Sequence, residues 1–147
     1  MTTLVVDELL SQFEQPIYFK QKILVTSIKL HLYVHNMPLG NFVFSIEKEG
    51  NPYASFNFTS SSLRSSFGGT ENFFHVFMPF TFGGGAVFDR GEYLFRITQT
   101  GYIYSASSFL GWCKDFGGYF GDISDPDAEF TEYPYSFRII QRKPREL

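Results

Sequence analysis

Hydrophobic and polar residues alternate with a period of two along most of this chain. The clearest case is "VTSIKLHLYVH" at positions 25–35, where Ile28, Leu30, Leu32 and Val34 alternate with polar or ring-bearing residues. Successive side chains of a β-strand point to opposite faces, so this pattern predicts a strand with one buried and one wet face.

The same alternation recurs in five later segments, "NFVFSIEKE", "YASFNFT", "ENFFHVFMPF", "EYLFRITQ" and "YPYSFRIIQR". Their predicted inward residues include Phe42, Phe44, Ile46, Phe58, Phe74, Phe80, Tyr93, Phe95 and Ile97. The strand at 73–80 is apolar on both faces, which predicts a central strand or one covered by a neighbour.

Turn residues separate these segments. "NMPLG" at 36–40 predicts a turn that joins the strands at 25–35 and 41–49 as a hairpin, and "GNP" at 50–52 predicts the next turn. "SSSLRSSFGGT" and "TFGGGAVFDRG" are rich in Ser or Gly and predict loops.

No segment shows a sustained helical period. Residues 1–13 fit two turns of helix, with Val5, Leu9 and Phe13 on one face, and they equally fit a first strand at Leu4–Val6. Eight to ten short strands with turn clusters between them predict an all-β, single-domain antiparallel β-sandwich of jelly-roll topology. Residues 1–147 form that domain, with attachment arms at 1–13 and 141–147.

The amino-acid composition favours strands, and the net charge argues against one class of partner. Phe occurs 19 times and Tyr 9 times, and both favour the pleated surface of a sheet. The net charge of −3 argues against nucleic-acid binding. The chain has no run of 18 apolar residues and no basic, apolar leader, so we expect neither a membrane span nor secretion.

Candidate catalytic and zinc chemistry is sparse. Cys113, the single cysteine, would need an activating histidine, and nothing in the spacing demands a contact with His75. His31 and His35 lie roughly 13 Å apart along one strand, too far to share an ion. A zinc site would need His75 and carboxylates to converge on one of them. A glycosidase would need two carboxylates held across a cleft, and carboxylates such as Glu47 have no recognisable catalytic setting in this sequence. We therefore expect a structural cysteine, no cofactor and no enzyme.

The acidic loop "GDISDPDAE" is the better metal candidate. Asp122, Asp125, Asp127 and Glu129 place four carboxylates within eight residues, and calcium prefers clustered oxygen ligands. The spacing does not match an EF-hand, so a solvated acidic loop is the competing interpretation.

The segment "GYIYSASSFLGWCKDFGGYF" at 101–120 concentrates aromatic rings. Exposed rings bind sugars and partner proteins at low entropic cost. Candidate binding residues are Tyr102, Tyr104, Phe109, Trp112, Phe116 and Tyr119. With 29 aromatic residues in 147, the alternative is that these rings pack the core or a subunit interface.

Several segments together resemble jelly-roll proteins of tailed-phage virions. "IYFKQKILVTSIKLHLYV", "MPLGNFVFSIEKEG" and "FDRGEYLFRITQTGY" are similar, in that order, to a phage and bacterial β-sandwich type over residues 16–113. "SASSFLGWCKDF" resembles a stretch of uncharacterised virion proteins of marine tailed phages.

The resemblance implies a non-enzymatic capsid-decoration, head-fibre or tail-appendage protein, made in the host cytoplasm and found in the virion. Its partners would be its own copies, in a homo-oligomer such as a trimer, and other virion proteins. The alternative is a carbohydrate-binding module that is part of a host-recognition appendage and binds a host surface glycan.

Overall fold

The computed structural model describes residues 4–19, 22–115, 129–130 and 137–141. Strands dominate these residues, as the period-two pattern predicts. The elements are β1 (Leu4–Glu8), β2 (Phe13–Phe19), β3 (Ile23–His35), β4 (Asn41–Lys48), β5 (Asn51–Phe58), α1 (Ser60–Phe67), β6 (Phe73–Phe88), β7 (Gly91–Thr100), β8 (Phe109–Asp115), β9 (Glu129–Phe130) and β10 (Phe137–Gln141).

The strands form two antiparallel sheets. In the first sheet β1 pairs with β8. β8 and β10 both pair with one edge of β3, and β6 pairs with its other edge. The second has the order β5-β4-β7-β2-β9. The predicted all-β sandwich is confirmed.

Consecutive strands mostly belong to different sheets. β3 lies in the first sheet and β4 in the second, so the predicted hairpin between them is wrong. β4 instead pairs with β5 and β7. Alternation alone could not show this, because two strands present the same pattern whether they pair side by side or face each other across a core.

The core lies between the sheets, and the predicted inward faces fill it. Leu30 and Leu32 of β3 are fully buried, as are Phe44 of β4 and Phe95 of β7. The Phe44 ring lies 4.9 Å from the ring of Phe80 in β6, so aromatic contacts join the two sheets. Most of the Phe content is therefore explained by the core.

The Ser-rich segment predicted as a loop contains helix α1. Thr59 caps its first turn in a reciprocal capping box with Ser62, and Gly68 ends it in a left-handed conformation at φ 86°. Leu63 is its buried apolar residue. Because α1 is delimited by its caps and buries a single apolar side chain, the sequence shows no apolar periodicity that would predict a helix.

The glycine segment predicted as a loop continues β6. Gly84 and Gly85 have positive φ values of 78° and 90°, and the pairing with β3 shifts between Val25 and Ser27. Positive φ at glycine lets the strand bulge and continue. Within the described residues β6 pairs with β3 alone, so the first of the two predicted alternatives, a central strand, is not found there.

The N-terminal segment is part of the sandwich. β1 pairs with β8, which resolves the helix-or-strand alternative in favour of a strand. Leu9 is fully buried and Phe13 begins β2. Over the described residues 4–13 the predicted free arm at 1–13 is therefore wrong, because Leu9 and Phe13 are buried in the core. Residues 142–147 of the predicted C-terminal arm lie outside the described residues.

The two ends of the sandwich differ. The β1–β2, β3–β4, β5–β6 and β7–β8 connections meet at one end, which we call the long-loop end. It includes α1. The opposite end carries the brief β2–β3, β4–β5 and β6–β7 connections, and we call it the short-turn end.

Candidate functional sites: the long-loop end and a His–Cys cluster

The predicted ring platform is largely buried. Tyr102, Phe109 and Trp112 belong to the core, and Trp112 is fully buried with its ring 5.9 Å from that of Phe13. Tyr104 is partly buried, and its hydroxyl donates a hydrogen bond to the carboxylate of Glu8. These rings pack the protein instead of presenting a sugar-binding surface, which is the alternative that the sequence left open.

The structure does not describe the side chains of the remaining predicted site residues. Phe116, Tyr119, Asp122, Asp125 and Asp127 fall outside the described residues. Glu129 begins β9, but the structure does not describe its side chain. The calcium site stays a prediction.

Tyr102 is the anchor of the long-loop end. Its hydroxyl donates to the carbonyl of Leu9 at 2.8 Å and accepts from the backbone N–H of Leu110 at 3.3 Å. Its ring meets that of Phe42 edge-on at 5.2 Å. Burial raises the pKa of this hydroxyl, so it stays protonated and able to donate.

The β3–β4 connection is seated directly on this anchor. Gly40 has a φ of 118°, and a Cβ at that position would lie 2.8 Å from the Cα of Tyr102. Only glycine accommodates both the backbone conformation and the close approach. The loop and the tyrosine are therefore held as one unit.

Further hydrogen bonds join the connections to each other. Asn36 donates from its side-chain amide to the carbonyl of Ser107 at 3.2 Å and accepts from the hydroxyl of Ser108 at its own carbonyl at 3.0 Å. Ser60 of α1 donates to the carbonyl of Pro38 at 2.7 Å. These bonds tie β3–β4 to both neighbouring connections, which fixes the end of the sandwich.

Three large aliphatic side chains project from this fixed end. Leu10, Leu39 and Ile103 are 64%, 85% and 87% exposed, and we call them the apolar tips. Each tip is next in the chain to Tyr102 or to a residue that contacts it. Leu10 follows Leu9, Leu39 precedes Gly40, and Ile103 follows Tyr102. Isolated exposed apolar residues are ordinary on protein surfaces, and these three share one end of the sandwich.

A groove of about 350 Å³ lies beside one of the tips, between the β3–β4 connection and α1. Leu39 and its neighbours form an apolar wall. The facing wall carries the hydroxyls of residues 59–61, together with Arg64 and Asn72, whose side chains are hydrogen-bonded at 3.1 Å. The groove can therefore contact both apolar and polar groups of a ligand.

A second constellation lies on the face of the first sheet that points away from the core. Neighbouring strands β6, β3 and β8 bring together His75, His31 and Cys113, which we call the His–Cys cluster. One ligand atom of each lies within 4.8 Å of the others. Cys113 Sγ is 3.5 Å from His75 Nδ1, and the two histidine rings are 5.5 Å apart.

The third histidine lies on the same face outside the cluster. The Nδ1 atom of His35 is 2.8 Å from the hydroxyl of Tyr33, and its ring stacks on Phe109 at 4.7 Å. His35 therefore has its own partners, two pleats along β3 from His31.

The cluster lacks the electrostatics of a nucleophilic dyad. Burial raises the pKa of the Cys113 thiol to about 12 and lowers the pKa of His75. Both groups are neutral at pH 7, so no thiolate–imidazolium pair forms. Cys113 is also fully buried, which closes its sulfur to a substrate. The geometry does not support cysteine catalysis.

Sequence reasoning missed this convergence because the register between strands creates it. His75 does approach His31, but a thiol completes the group where carboxylates were expected. Pairing of Tyr33 with His75 and of Leu32 with Trp112 sets the approach. The spacing within the chain carries no signal of that register.

No described helix has the length and apolar character needed to span a membrane. Comparison of the chain with family models, curated proteins and solved structures finds no match in any of the three.

Proposed function

We propose that this protein is a non-enzymatic structural component of a tailed-phage virion, which docks through its long-loop end onto its own copies and a neighbouring virion protein. The observation that carries the docking role is the set of apolar tips, Leu10, Leu39 and Ile103, held outward by the Tyr102 anchor. The virion setting rests on the sequence resemblance.

The strand order supports a jelly-roll assignment. β1-β8-β3-β6 in one sheet faces β2-β7-β4-β5 in the other, and the chain passes between sheets at most connections. Strands β1 to β8, to which β9 and β10 are added on β2 and β3, follow the order of an eight-stranded jelly roll, a fold common in viral capsid and lectin domains. The assignment favours a scaffold with loops gathered at its ends for contact.

The energy of the apolar tips favours assembly in several copies. Burying one such side chain completely contributes about 1.5–3 kcal/mol, so the exposed fractions of the three tips contribute roughly 3.5–7 kcal/mol together. Association costs at least about 4 kcal/mol of translational and rotational freedom. One docking contact is therefore weak, and a symmetric oligomer would multiply it.

A preordered surface lowers the cost of docking. The connections that carry the tips are already hydrogen-bonded to each other, so their backbone loses little freedom in the complex. This property separates the apolar tips from apolar residues on loose loops.

The groove beside α1 favours glycan recognition as a second candidate function. Its hydroxyls, Arg64 and Asn72 are suitable hydrogen-bonding groups for a sugar. Its described lining contains no aromatic ring for stacking, and Trp112 is buried. Glycan recognition therefore ranks below protein docking.

The decisive experiment replaces all three tips with serine. We expect the Leu10→Ser, Leu39→Ser, Ile103→Ser variant to fold with an unchanged melting temperature but to be missing from purified particles. Val87→Ser is the matched control, because Val87 is an exposed apolar residue one position before the last residue of β6, at the short-turn end. Incorporation of the triple variant at the level of the control would refute the proposal.

Two further measurements separate the competing partners. Flotation of the protein with lipid vesicles, lost in the triple variant, would replace protein docking by membrane contact. A glycan array with Arg64→Ala as the groove variant tests the second candidate. Glycan binding that Arg64→Ala abolishes and the triple serine variant retains would favour the groove.

A further inference from the structure

We propose that His31, His75 and Cys113 form a binding site for a zinc-type divalent ion, with two imidazole nitrogens and one thiolate sulfur as protein ligands. The site lies on the outer face of the first sheet, in the half of β3 nearer the long-loop end, and includes none of the apolar tips. It is independent of the docking role, and either proposal can fail without the other.

The distances suit a small transition-metal ion. Zinc binds nitrogen at about 2.0–2.1 Å and sulfur at about 2.3 Å, so neighbouring ligand atoms of a tetrahedral site lie about 3.3–3.8 Å apart. Cys113 Sγ and His75 Nδ1 are already 3.5 Å apart. The remaining separations are no greater than 4.8 Å, so ligand atoms need to close by at most roughly 1.5 Å.

The donor set selects the class of ion. Thiolate and imidazole suit zinc and copper, whereas calcium and magnesium prefer oxygen ligands. Zinc has no geometric demand from its d-electrons, so it accepts three protein ligands and takes water at the fourth position. Binding exchanges the proton of the Cys113 thiol for the metal and releases that proton to solvent, with no change of oxidation state.

The sheet preorganises the three ligands. Each comes from a different strand, and β3 pairs with both β6 and β8, so the backbone spacing is fixed before any ion arrives. The ring of His31 stacks on Phe77 at 4.3 Å, and the ring of Tyr33 lies 4.8 Å from that of His75. These rings restrict the imidazoles to orientations that keep them near the sulfur.

Access favours an ion over a larger ligand. His31 and Cys113 are buried, whereas His75 is exposed at the edge of the cluster. An ion can enter past His75, bind its nitrogen first and then reach the two inner ligands. The full burial of Cys113 closes its sulfur to a substrate-sized molecule, which agrees with a metal site and not a catalytic thiol.

The first test uses the full chain after treatment with a chelator. We expect cobalt(II) to bind with one-to-one stoichiometry and to produce a thiolate-to-cobalt charge-transfer band and intense tetrahedral d–d bands. Zinc should displace cobalt and raise the melting temperature. Absence of the charge-transfer band, with no shift in melting temperature on adding zinc, would overturn the proposal.

The second test assigns the ligands. His75→Asn should weaken zinc binding at least tenfold in competition with a chromophoric chelator, and Cys113→Ser should also abolish the charge-transfer band. His35→Asn is the control, because it removes a histidine outside the cluster from the same face of the neighbouring strand β3. His75 is exposed, so its variant should fold even if Cys113→Ser does not. Equal zinc affinity in His75→Asn and His35→Asn would refute the assignment.

Discussion

Single residues decide how the long-loop end is held. Tyr102 carries two backbone hydrogen bonds on one buried hydroxyl, and Gly40 allows the neighbouring loop to rest on it. Neither role is visible in the sequence, where Tyr102 is one of nine tyrosines and Gly40 one of thirteen glycines. Both depend on contacts between segments that are distant in the chain.

Removing the anchoring hydroxyl should destabilise the fold. Tyr102→Phe keeps the ring but leaves the carbonyl of Leu9 and the N–H of Leu110 without this partner, at a cost of about 1–3 kcal/mol in the free energy of unfolding. Urea denaturation measures the change. Tyr104→Phe is the control, because its hydroxyl bonds to a carboxylate in an exposed setting. Equal losses in the two variants would contradict the anchor role.

Gly40→Ala should lower the free energy of unfolding more than Gly50→Ala. Both glycines have positive φ, 118° at Gly40 and 85° at Gly50, but nothing lies within 4 Å of a Cβ at Gly50. Each alanine costs about 1–2 kcal/mol for the left-handed backbone. Gly40→Ala adds a clash with Tyr102 worth about 1–3 kcal/mol. Chemical denaturation of both variants tests this difference, and indistinguishable stabilities would show that the loop yields easily.

At the scale of elements, β1 illustrates how a segment that resembles a free arm can be structural. Residues 4–8 complete the edge of the first sheet, and Leu9 follows them into the core. The adjacent Leu10 is 64% exposed. The chain therefore passes from core to contact surface within one residue.

This boundary predicts opposite outcomes for two neighbouring leucines. Leu9→Ala should lower the free energy of unfolding by about 2–5 kcal/mol, because it leaves a cavity in a packed core. Leu10→Ala should change it by less than about 0.5 kcal/mol and should weaken particle incorporation instead. Thermal melting and incorporation assays on the two variants separate the roles. Loss of stability in Leu10→Ala would mean that the tip packs on the protein.

The elements also show how far the sequence could predict this structure. Strands such as β3 were predictable because Ile28 to Val34 alternate, and burial follows that alternation. Assignment of strands to sheets was not predictable, since β3 and β4 present the same pattern facing each other as they would side by side. The His–Cys cluster depends on the register of β6 and β8 against β3, which local sequence does not encode.

At the scale of the whole molecule, three tyrosines with raised pKa values set the response to alkaline pH. Burial raises the pKa of Tyr93 to about 12. The charges of Tyr53, Asp89 and Glu49 add to this shift, and the hydrogen bond to the carbonyl of Asp89 opposes it. The pKa values of Tyr53 and Tyr102 are also raised, mainly by burial. All three groups favour the protonated phenol in the folded state.

The sign of the effect follows from proton binding. Above about pH 10 the unfolded chain releases its phenolic protons while the folded protein retains them, so stability is fully present below pH 10 and falls as the pH rises toward 12. Melting temperatures measured from pH 8 to 12 should decline in that window. Tyr93→Phe should reduce the slope, and an unchanged slope would show that Tyr93 does not contribute.

The position of Trp112 gives the molecule a built-in optical reporter. It is the single tryptophan, and its ring in β8 meets Phe13 of β2 across the core, so its fluorescence comes from the junction of the two sheets. Separation of the sheets exposes the indole to water and shifts its emission to the red. The next residue, Cys113, belongs to the His–Cys cluster, so cobalt bound there would quench this emission while zinc would not. One intrinsic signal thus follows both the integrity of the core and the occupancy of the site.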